Sequence, residues 1–397
     1  MILVVPEYVS ANSNPWWDVQ SIDTMKYSRD PSREFLSDPE KASEVITEQV
    51  GHVADTGATH IAISTPYDEE FRPLLREWVA EARKHDLKVW FRGNWSGWEN
   101  WFGYNDITPE EHVTKTVAFI QQNQDLFEDG DIFSGCPECE NGGPGDPRMT
   151  DGKIRHQQFL IKQYESATAA FQKIDKDVDA GYHSMNGDVA KLVMDRPTTK
   201  AAGGLIVVDH YVRTPEQLIK DVIQYASQSG GQVVLGEFGA PIPDIHGSMT
   251  EQQQAEWLEQ SLAGLSKVES LKGMNYWTGM GGSTAIWNED NTPRQAVAVL
   301  KKYFSPKVIT GKVVNTVGNP VPSATLVTAE QERKTTEKGE FTIPYINSEE
   351  MVSITAFDHL PRNVRIDQLQ ADSTIVMAPE EHGWWYSLRL WVIRLFE

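Results

Sequence analysis

Short apolar runs alternate with amphipathic helical stretches over the first three quarters of the chain. Eight runs read as strands: WDVQSID from Trp17, THIAIST from Thr59, KVWFRGN from Lys88, DIFSGCPE from Asp131, VDAGYHS from Val178, LIVVDHY from Leu205, QVVLGEF from Gln232 and LKGMNYW from Leu271. The stretches between them carry a helical period. Phe71, Leu74, Leu75, Trp78 and Ala82 share one helix face, and Leu218, Val222, Ile223 and Ala226 share another. Helix starts are marked by T-P-E-E at Thr108, T-P-E-Q at Thr214, T-E-Q-Q at Thr250 and T-P-R-Q at Thr292. Threonine caps the first turn, proline fits it, and glutamate suits the positive end of the helix dipole.

Eight strand–helix units between about Trp16 and Phe304 predict a (β/α)8 barrel over residues 16–304. A doubly wound open sheet would want a glycine-rich phosphate turn after an early strand, and none is present. The pattern changes at Ser305-Pro306. From there short β-rich runs alternate with N-T-V-G-N-P and T-E-K-G-E-F turns, which predicts a small all-β sandwich over 307–379. Residues 1–15 read as a leader or the remnant of an export signal, although a basic n-region is missing. Residues 380–397 form an aromatic amphipathic tail with Arg389 and Arg394, suited either to a membrane surface or to packing on the second domain.

Charge narrows the partners. The 397 residues carry a net charge of −21 and no basic stripe, which argues against nucleic acid. No run of about 20 apolar residues exists to span a bilayer. The only cysteines, Cys136 and Cys139, are too few for a disulfide framework. No second C-x-x-C and no H-x₃₋₅-H pair completes a zinc site. A thioredoxin-like pair would open a helix, whereas this one leads into N-G-G-P-G, a loop signal. No metal or cofactor is expected, and the chain is expected to be a monomer.

In a barrel, catalytic groups sit at the C-terminal ends of the strands. The eight runs end in Asp23, Tyr67, Arg92-Gly93-Asn94-Trp95, Glu138, His183, Asp209-His210-Tyr211, Glu237 and Trp277. Two carboxylates, Glu138 and Glu237, follow buried apolar sequence on the fourth and seventh runs. Paired carboxylates across a cleft cleave glycosidic bonds, one as acid and the other as nucleophile. Glu140 rivals Glu138; strand alternation with Ser134 and Cys136 favours Glu138. The glycines around Glu237 are expected to let a sugar ring approach the backbone. Trp277 offers a flat face to such a ring. The loop GNWSGWENWFGY brings Trp95, Trp98, Trp101, Phe102 and Tyr104 as stacking groups, unless it folds back as a plug.

The order of these motifs resembles the clan A glycoside hydrolases, the retaining group that includes the cellulase-like family five. The resemblance implies Glu138 as acid/base, Glu237 in G-E-F-G as nucleophile, and Arg92, Asn94, Trp95, Trp98, His183, His210, Tyr211 and Trp277 as substrate-binding residues. Two features depart from that pattern. Pro137 stands where the clan has asparagine, and the arginine near the end of strand two is missing, leaving Arg92 on the third run. G-K-V-V-N-x-x-G-N-P-V-P-x-A-x-L from Gly311 and T-T-E-K-G-E-F-T-I from Thr335 resemble the carboxypeptidase regulatory-like domain, itself similar to transthyretin. Together these imply a retaining hydrolase of β-glycosidic bonds in a poly- or oligosaccharide, exported or held at the cell surface. The alternative is a non-catalytic carbohydrate-binding barrel. A lyase or aldolase would want a lysine at a strand end, and no run ends in one.

Overall fold

The computed structural model describes residues 16–142, 145–149, 151–329 and 331–380. The expected leader and all but the first residue of the expected tail lie outside the described residues. The chain divides into two compact units, one ending at Ser305 and the other beginning at Pro306.

In the first unit, eight strands form one parallel sheet: β1 (Val19–Asp23), β2 (His60–Ile63), β3 (Lys88–Phe91), β4 (Ile132–Phe133), β5 (Ser184–Asn186), β6 (Leu205–Asp209), β7 (Gln232–Phe238) and β8 (Leu271–Tyr276). Their order is β4-β3-β2-β1-β8-β7-β6-β5. An isolated parallel bridge from Ile132 to Asp179 also links β4 to the segment leading into β5. A curled eight-stranded parallel sheet with helices between its strands fits the (β/α)8 type. Strands β1, β2 and β6 are buried at every position, which is why they read as continuous apolar runs. Val19, Ala62, Trp90, Ile132, Tyr182, Leu205, Val207 and Val234 meet in one cluster.

Three expectations need correction. The fifth strand is assigned at Ser184–Asn186, at the end of the predicted run and beyond it, and Val178–His183 contributes only the bridge at Asp179. Thr108, Thr214 and Thr250 cap their helices through the side chain. Thr292 does not; its hydroxyl donates to Asp290 and the helix starts later, at Gln295. Phe71, Leu74, Leu75, Trp78 and Ala82 are all buried, but Ile223 is exposed and Tyr225 takes the buried place beside Leu218 and Val222. Tyr225 has a local reason to turn inward: its hydroxyl reaches His210.

The second unit contains two small sheets. β9 (Lys307–Asn315) is flanked by β12 (Glu340–Tyr345) and β15 (Ser373–Met377). β10 (Thr325–Val327) and β13 (Met351–Thr355) lie between β11 (Glu332–Lys334) and β14 (Arg362–Arg365). Both sheets feed one apolar core: Ile309, Val313, Phe341, Ile343 and Ile375 from the first, Leu326, Val352 and Ile354 from the second. The two turn motifs behave as glycine turns. Gly318 and Gly339 take positive φ, and the flanking residues pair across each turn, Asn315 with Asn319 and Thr336 with Glu340. No helix among the described residues is long and apolar enough to cross a membrane.

Candidate active site

Arg92, one residue past β3, is the centre of a buried polar cluster. Its side chain is 1% exposed. Nη1 donates to Asp23 Oδ2 at 2.5 Å and to Glu237 Oε1 at 3.0 Å, and Nη2 donates to Ser184 Oγ at 3.2 Å. Asp209 Oδ2 lies 3.5 Å from Nη2. Five strands thus converge on one guanidinium, from β1, β3, β5, β6 and β7. A buried guanidinium needs several acceptors to offset its lost hydration, and the strand ends supply them. Asn275 on β8 completes the ring by donating to Asp23 Oδ2 at 3.0 Å and to the Gly236 carbonyl.

Glu237 is bound through both carboxylate oxygens, since Tyr211 donates its hydroxyl to Oε2 at 2.8 Å. Burial pushes the Glu237 carboxyl up to about 7, and Glu138 and Asp23 add to this. Arg92 and the Tyr211 hydrogen bond pull the other way. Asp209 is fully buried and finds no hydrogen-bond donor among the described residues. Burial first, then the neighbouring Glu237, hold its proton well above the usual carboxylate range. The cluster therefore carries fewer negative charges than its carboxyl count suggests.

The glycines beside Glu237 serve the protein rather than a ligand. A Cβ at Gly236 would collide with Asp209 and Ser184, and one at Gly239 would lie 2.6 Å from the Trp277 carbonyl. The expectation that they clear space for a sugar ring is corrected accordingly.

Glu138 sits on a loop. Strand β4 ends at Phe133, and Glu138 takes φ +46°, so strand alternation from Ser134 does not set its direction. That ground for preferring it over Glu140 fails. What distinguishes the two is surroundings. Glu138 is half-buried; its Oε2 accepts from Asn141 Nδ2 at 3.2 Å and its Oε1 from Asn186 Nδ2 at 3.4 Å. Glu140 is buried, and its Oε1 accepts from the Asn186 main chain at 2.7 Å and side chain at 3.0 Å. Burial raises both carboxyls, and Glu140 raises Glu138 further. Glu138 is also the one whose charge is felt by Glu237. Cys136 and Cys139 bracket it as a disulfide with both sulfurs buried.

The remaining predicted residues divide. Trp277 is half-exposed beside the cluster, its ring 6.1 Å from that of Tyr211 and 5.8 Å from Lys26 Nζ. Asn94 is buried and holds Glu99, donating to Oε1 at 2.6 Å; burial pushes Glu99 up to about 8. His210 does not join the cluster. Its side chain hydrogen-bonds Asp221 at 2.9 Å and Tyr225 at 3.3 Å, on the helix after β6, while its main-chain N–H donates to the Glu237 carbonyl at 2.8 Å, so only Tyr211 of that pair brings its side chain to the Glu237 carboxylate. His183 is 2% exposed, and burial pushes it down to about 4.

Trp95 and Trp98 are core residues, correcting their expected role as sugar platforms. Trp95 is 4% exposed, packs against Tyr67 and Phe119, and donates to Thr116. Trp98 is 3% exposed and packs against His112, at 4.2 Å, and Phe159, at 4.9 Å, which also meet each other. The loop folds back, and its outer aromatics meet surface charges: Trp101 lies under Arg29 at 4.7 Å and Tyr104 donates to Glu70.

Asp23 and Asp209 were visible at strand ends but not singled out as site residues. Ser184, Asn186, Asn275 and Glu99 had no local signal, since only the assembled strand ends bring them together. Among the described residues, no group of three or more His, Cys, Asp or Glu could hold a metal ion.

No protein-family model and no curated protein matches the chain. Solved structures do. The β-glycosidase BGL167 aligns with a TM-score of 0.50 at 13% identity, over 73% of this chain and 95% of that one. Bacteroides uniformis β-glucuronidase 2 aligns with a TM-score of 0.48 at 11% identity, over 91% of this chain and 46% of that one. A Ruminococcus gnavus β-glucuronidase gives 0.45 at 13%, over 66% and 47%. The chain spans about half the length of the β-glucuronidases it matches. At 13% identity the likeness to BGL167 concerns the fold alone, and it agrees with the eight parallel strands described above.

Proposed function

We propose that the first unit is a glycoside hydrolase that cleaves β-glycosidic bonds of a poly- or oligosaccharide with retention of configuration. The observation that carries this reading is Glu237, held at the end of β7 by Arg92 and Tyr211, with the charge of Glu138 beyond β4 acting on its carboxyl. Glu237 is the nucleophile. A guanidinium N–H and a phenol O–H favour its ionised form and fix both oxygens, leaving lone pairs for an anomeric carbon. Glu138 is the acid/base. Its carboxylate accepts hydrogen bonds only from neutral amides, and two further features, its partial burial and the neighbouring Glu140, favour its protonated form.

The charge of Glu138 opposes ionisation of Glu237, which favours one carboxyl of the two keeping its proton. The contacts assign that proton to Glu138, and its removal from Glu138 drives up Glu237. Glycosyl transfer to Glu237 would proceed as Glu138 protonates the departing oxygen. Water activated by Glu138 then releases the sugar. Trp277 supplies an apolar wall at the site. The parallel sheet is read as a closed barrel with this site at its C-terminal rim. The second unit is read as an accessory carboxypeptidase regulatory-like sandwich. An exported or surface location is supported by the Cys136–Cys139 disulfide, since such bonds persist in oxidising compartments.

The test is release of reducing sugar from a panel of β-glucans, mannans, xylans and galactans, with NMR of the first anomer formed. Activity with retention is expected. An inverted first product would remove the double displacement, and no release from any member, alongside measurable glycan binding, would leave the non-catalytic barrel.

A further inference from the structure

Glu140 is a buried carboxylate, 4% exposed, with no salt bridge among the described residues. Such a group is costly unless its lone pairs are used. One oxygen is used twice by the same residue: Glu140 Oε1 accepts from the Asn186 main-chain N–H at 2.7 Å and from its Nδ2 at 3.0 Å. This two-point grip fixes the Asn186 side chain with its NH₂ group turned toward the glutamates. The same Nδ2 lies 3.4 Å from Glu138 Oε1. Asn186 ends β5, and two residues earlier the Ser184 carbonyl accepts the Glu138 main-chain N–H at 2.8 Å. The end of one strand therefore holds both the backbone and the side chain of Glu138, a residue otherwise on a loop with left-handed backbone.

We propose that Glu140 and Asn186 are positioning residues, with Glu140 anchoring the Asn186 amide and the amide orienting the Glu138 carboxyl. The inference deepens the acid/base reading of Glu138 and rests on it for its catalytic meaning.

The two partners act on Glu138 with opposite sign. A negative charge on Glu140 opposes ionisation of Glu138, whereas the Asn186 N–H favours it. Other charged groups also act on Glu138: Arg92 after β3, Arg29 after the helix Met25–Ser28, Glu99 in the loop beyond β3, Asp209 on β6 and Glu237 on β7. Of these, Glu99 and Asp209 also feel the Glu140 charge, so Glu140→Gln eases their ionisation along with that of Glu138.

The experiment is a ¹³C-carboxyl NMR titration of the full chain labelled at glutamate Cδ, with the Glu138 signal assigned by Glu138→Gln. In Glu140→Gln the Glu138 midpoint is expected to fall by about one pH unit, and in Asn186→Ala to rise by about half a unit. Opposite shifts are the signature, because general loosening of the loop would move both variants the same way. Two shifts of one sign, or no shift beyond error in either variant, would overturn the pair. Should Asn186→Ala fail to fold, Asn186→Ser removes the amide with a smaller change in shape and carries the same expectation.

The titration needs no substrate, which separates this inference from the glycosidase reading. Opposite shifts in a protein that hydrolyses no glycan would keep the pair and remove the enzyme. Normal hydrolysis without the shifts would do the reverse. With an active enzyme, both variants should lose more rate on an alkyl glycoside than on a dinitrophenyl glycoside, whose leaving group needs no proton.

Discussion

Glu237 is held by the sheet, and Glu138 is held by a loop. Strand β7 is hydrogen-bonded on both sides, to β6 and β8, and is buried from Val233 to Phe238. Its glutamate meets an arginine and a tyrosine that are themselves fixed by neighbouring strands. Strand β4 is two residues long, and everything from Ser134 to Gly142 depends on side-chain contacts, on single main-chain bonds to β3 and β5, and on the Cys136–Cys139 bridge. A nucleophile must hold its angle to one carbon, which a strand does well. An acid/base must serve a departing oxygen and then a water, which a loop with neutral amide partners permits. The comparison predicts that damage on the Glu237 side is absolute and damage on the Glu138 side is conditional.

The largest effect should come from the carboxylates themselves. Glu237→Ala is expected to abolish turnover on every substrate, because no covalent glycosyl-enzyme can form. Glu138→Ala should cost about 10²–10⁴-fold on unactivated glycosides and much less on dinitrophenyl glycosides. Azide should rescue it as a glycosyl azide of the substrate's own configuration. Equal loss on both substrate types, or azide rescue only in Glu140→Ala, would show that the acid/base has been misassigned.

Next in size is the aromatic loop. Trp98→Ala empties a buried place against His112 and Phe159, and truncation of a buried tryptophan costs roughly 3–5 kcal/mol. A markedly lower urea midpoint is expected, with any loss of activity following the loss of folded protein. A variant of native stability but weakened polymer binding would return Trp98 to the substrate.

The physical reason that some of this was legible and some was not lies in the range of the interactions. Strand positions could be read from QVVLGEF or LIVVDHY, because burial on both faces leaves an apolar run in the chain itself. So could Arg92 and Glu237, since each follows such a run. The partnership between them could not, because it joins residues 145 apart through a guanidinium that no local pattern reports. The loop aromatics misled for the opposite reason. Tryptophans among polar residues and glycines look exposed in sequence, but His112 and Phe159, from the helices Pro109–Gln122 and Gly152–Lys173, pack together against Trp98. Glu138 was singled out by strand alternation that stops at Phe133. Its claim now rests on the Asn186 contact and on the effect of its charge on Glu237, both involving strands far along the chain.

A smaller effect is expected of the bridge. Its ring closes over only a sequence separation of three, so the chain-entropy account allows at most about 2 kcal/mol. Replacing Cys136 and Cys139 together by Ser should lower the thermal midpoint modestly and leave much of the activity, as Glu138 keeps its bonds to Ser184, Asn141 and Asn186. Complete loss of activity in a folded double variant would make the bridge, rather than β5, the support of the loop.

The smallest effect is a dependence of stability on pH, and its sign follows from which groups are buried. Glu99 and Glu237 have folded values of about 8 and about 7, above the ordinary carboxylate value. Between the ordinary value and the folded one, the native state keeps protons that the unfolded state has released, so these groups make stability fall as pH rises. Buried histidines work in reverse. His60 and His183 are pushed down to about 4 and His112 to about 3, so below about 6.5 the unfolded state takes protons that the native state refuses. The two sets oppose each other on the acid side and partly cancel. Above about 6.5 the histidines are neutral in both states, and only the carboxyls still titrate. The urea midpoint of the first unit should therefore decline between about pH 6.5 and pH 8. Glu99→Gln keeps an oxygen for Asn94 and removes the titration with the highest folded value, so it should raise the midpoint already at pH 6.5 and flatten the decline above it. A midpoint that rises over this interval, or a slope unaltered by Glu99→Gln, would mean that Glu99 is already ionised in the native cluster and that the acid-rich side of the site carries more charge than its burial implies.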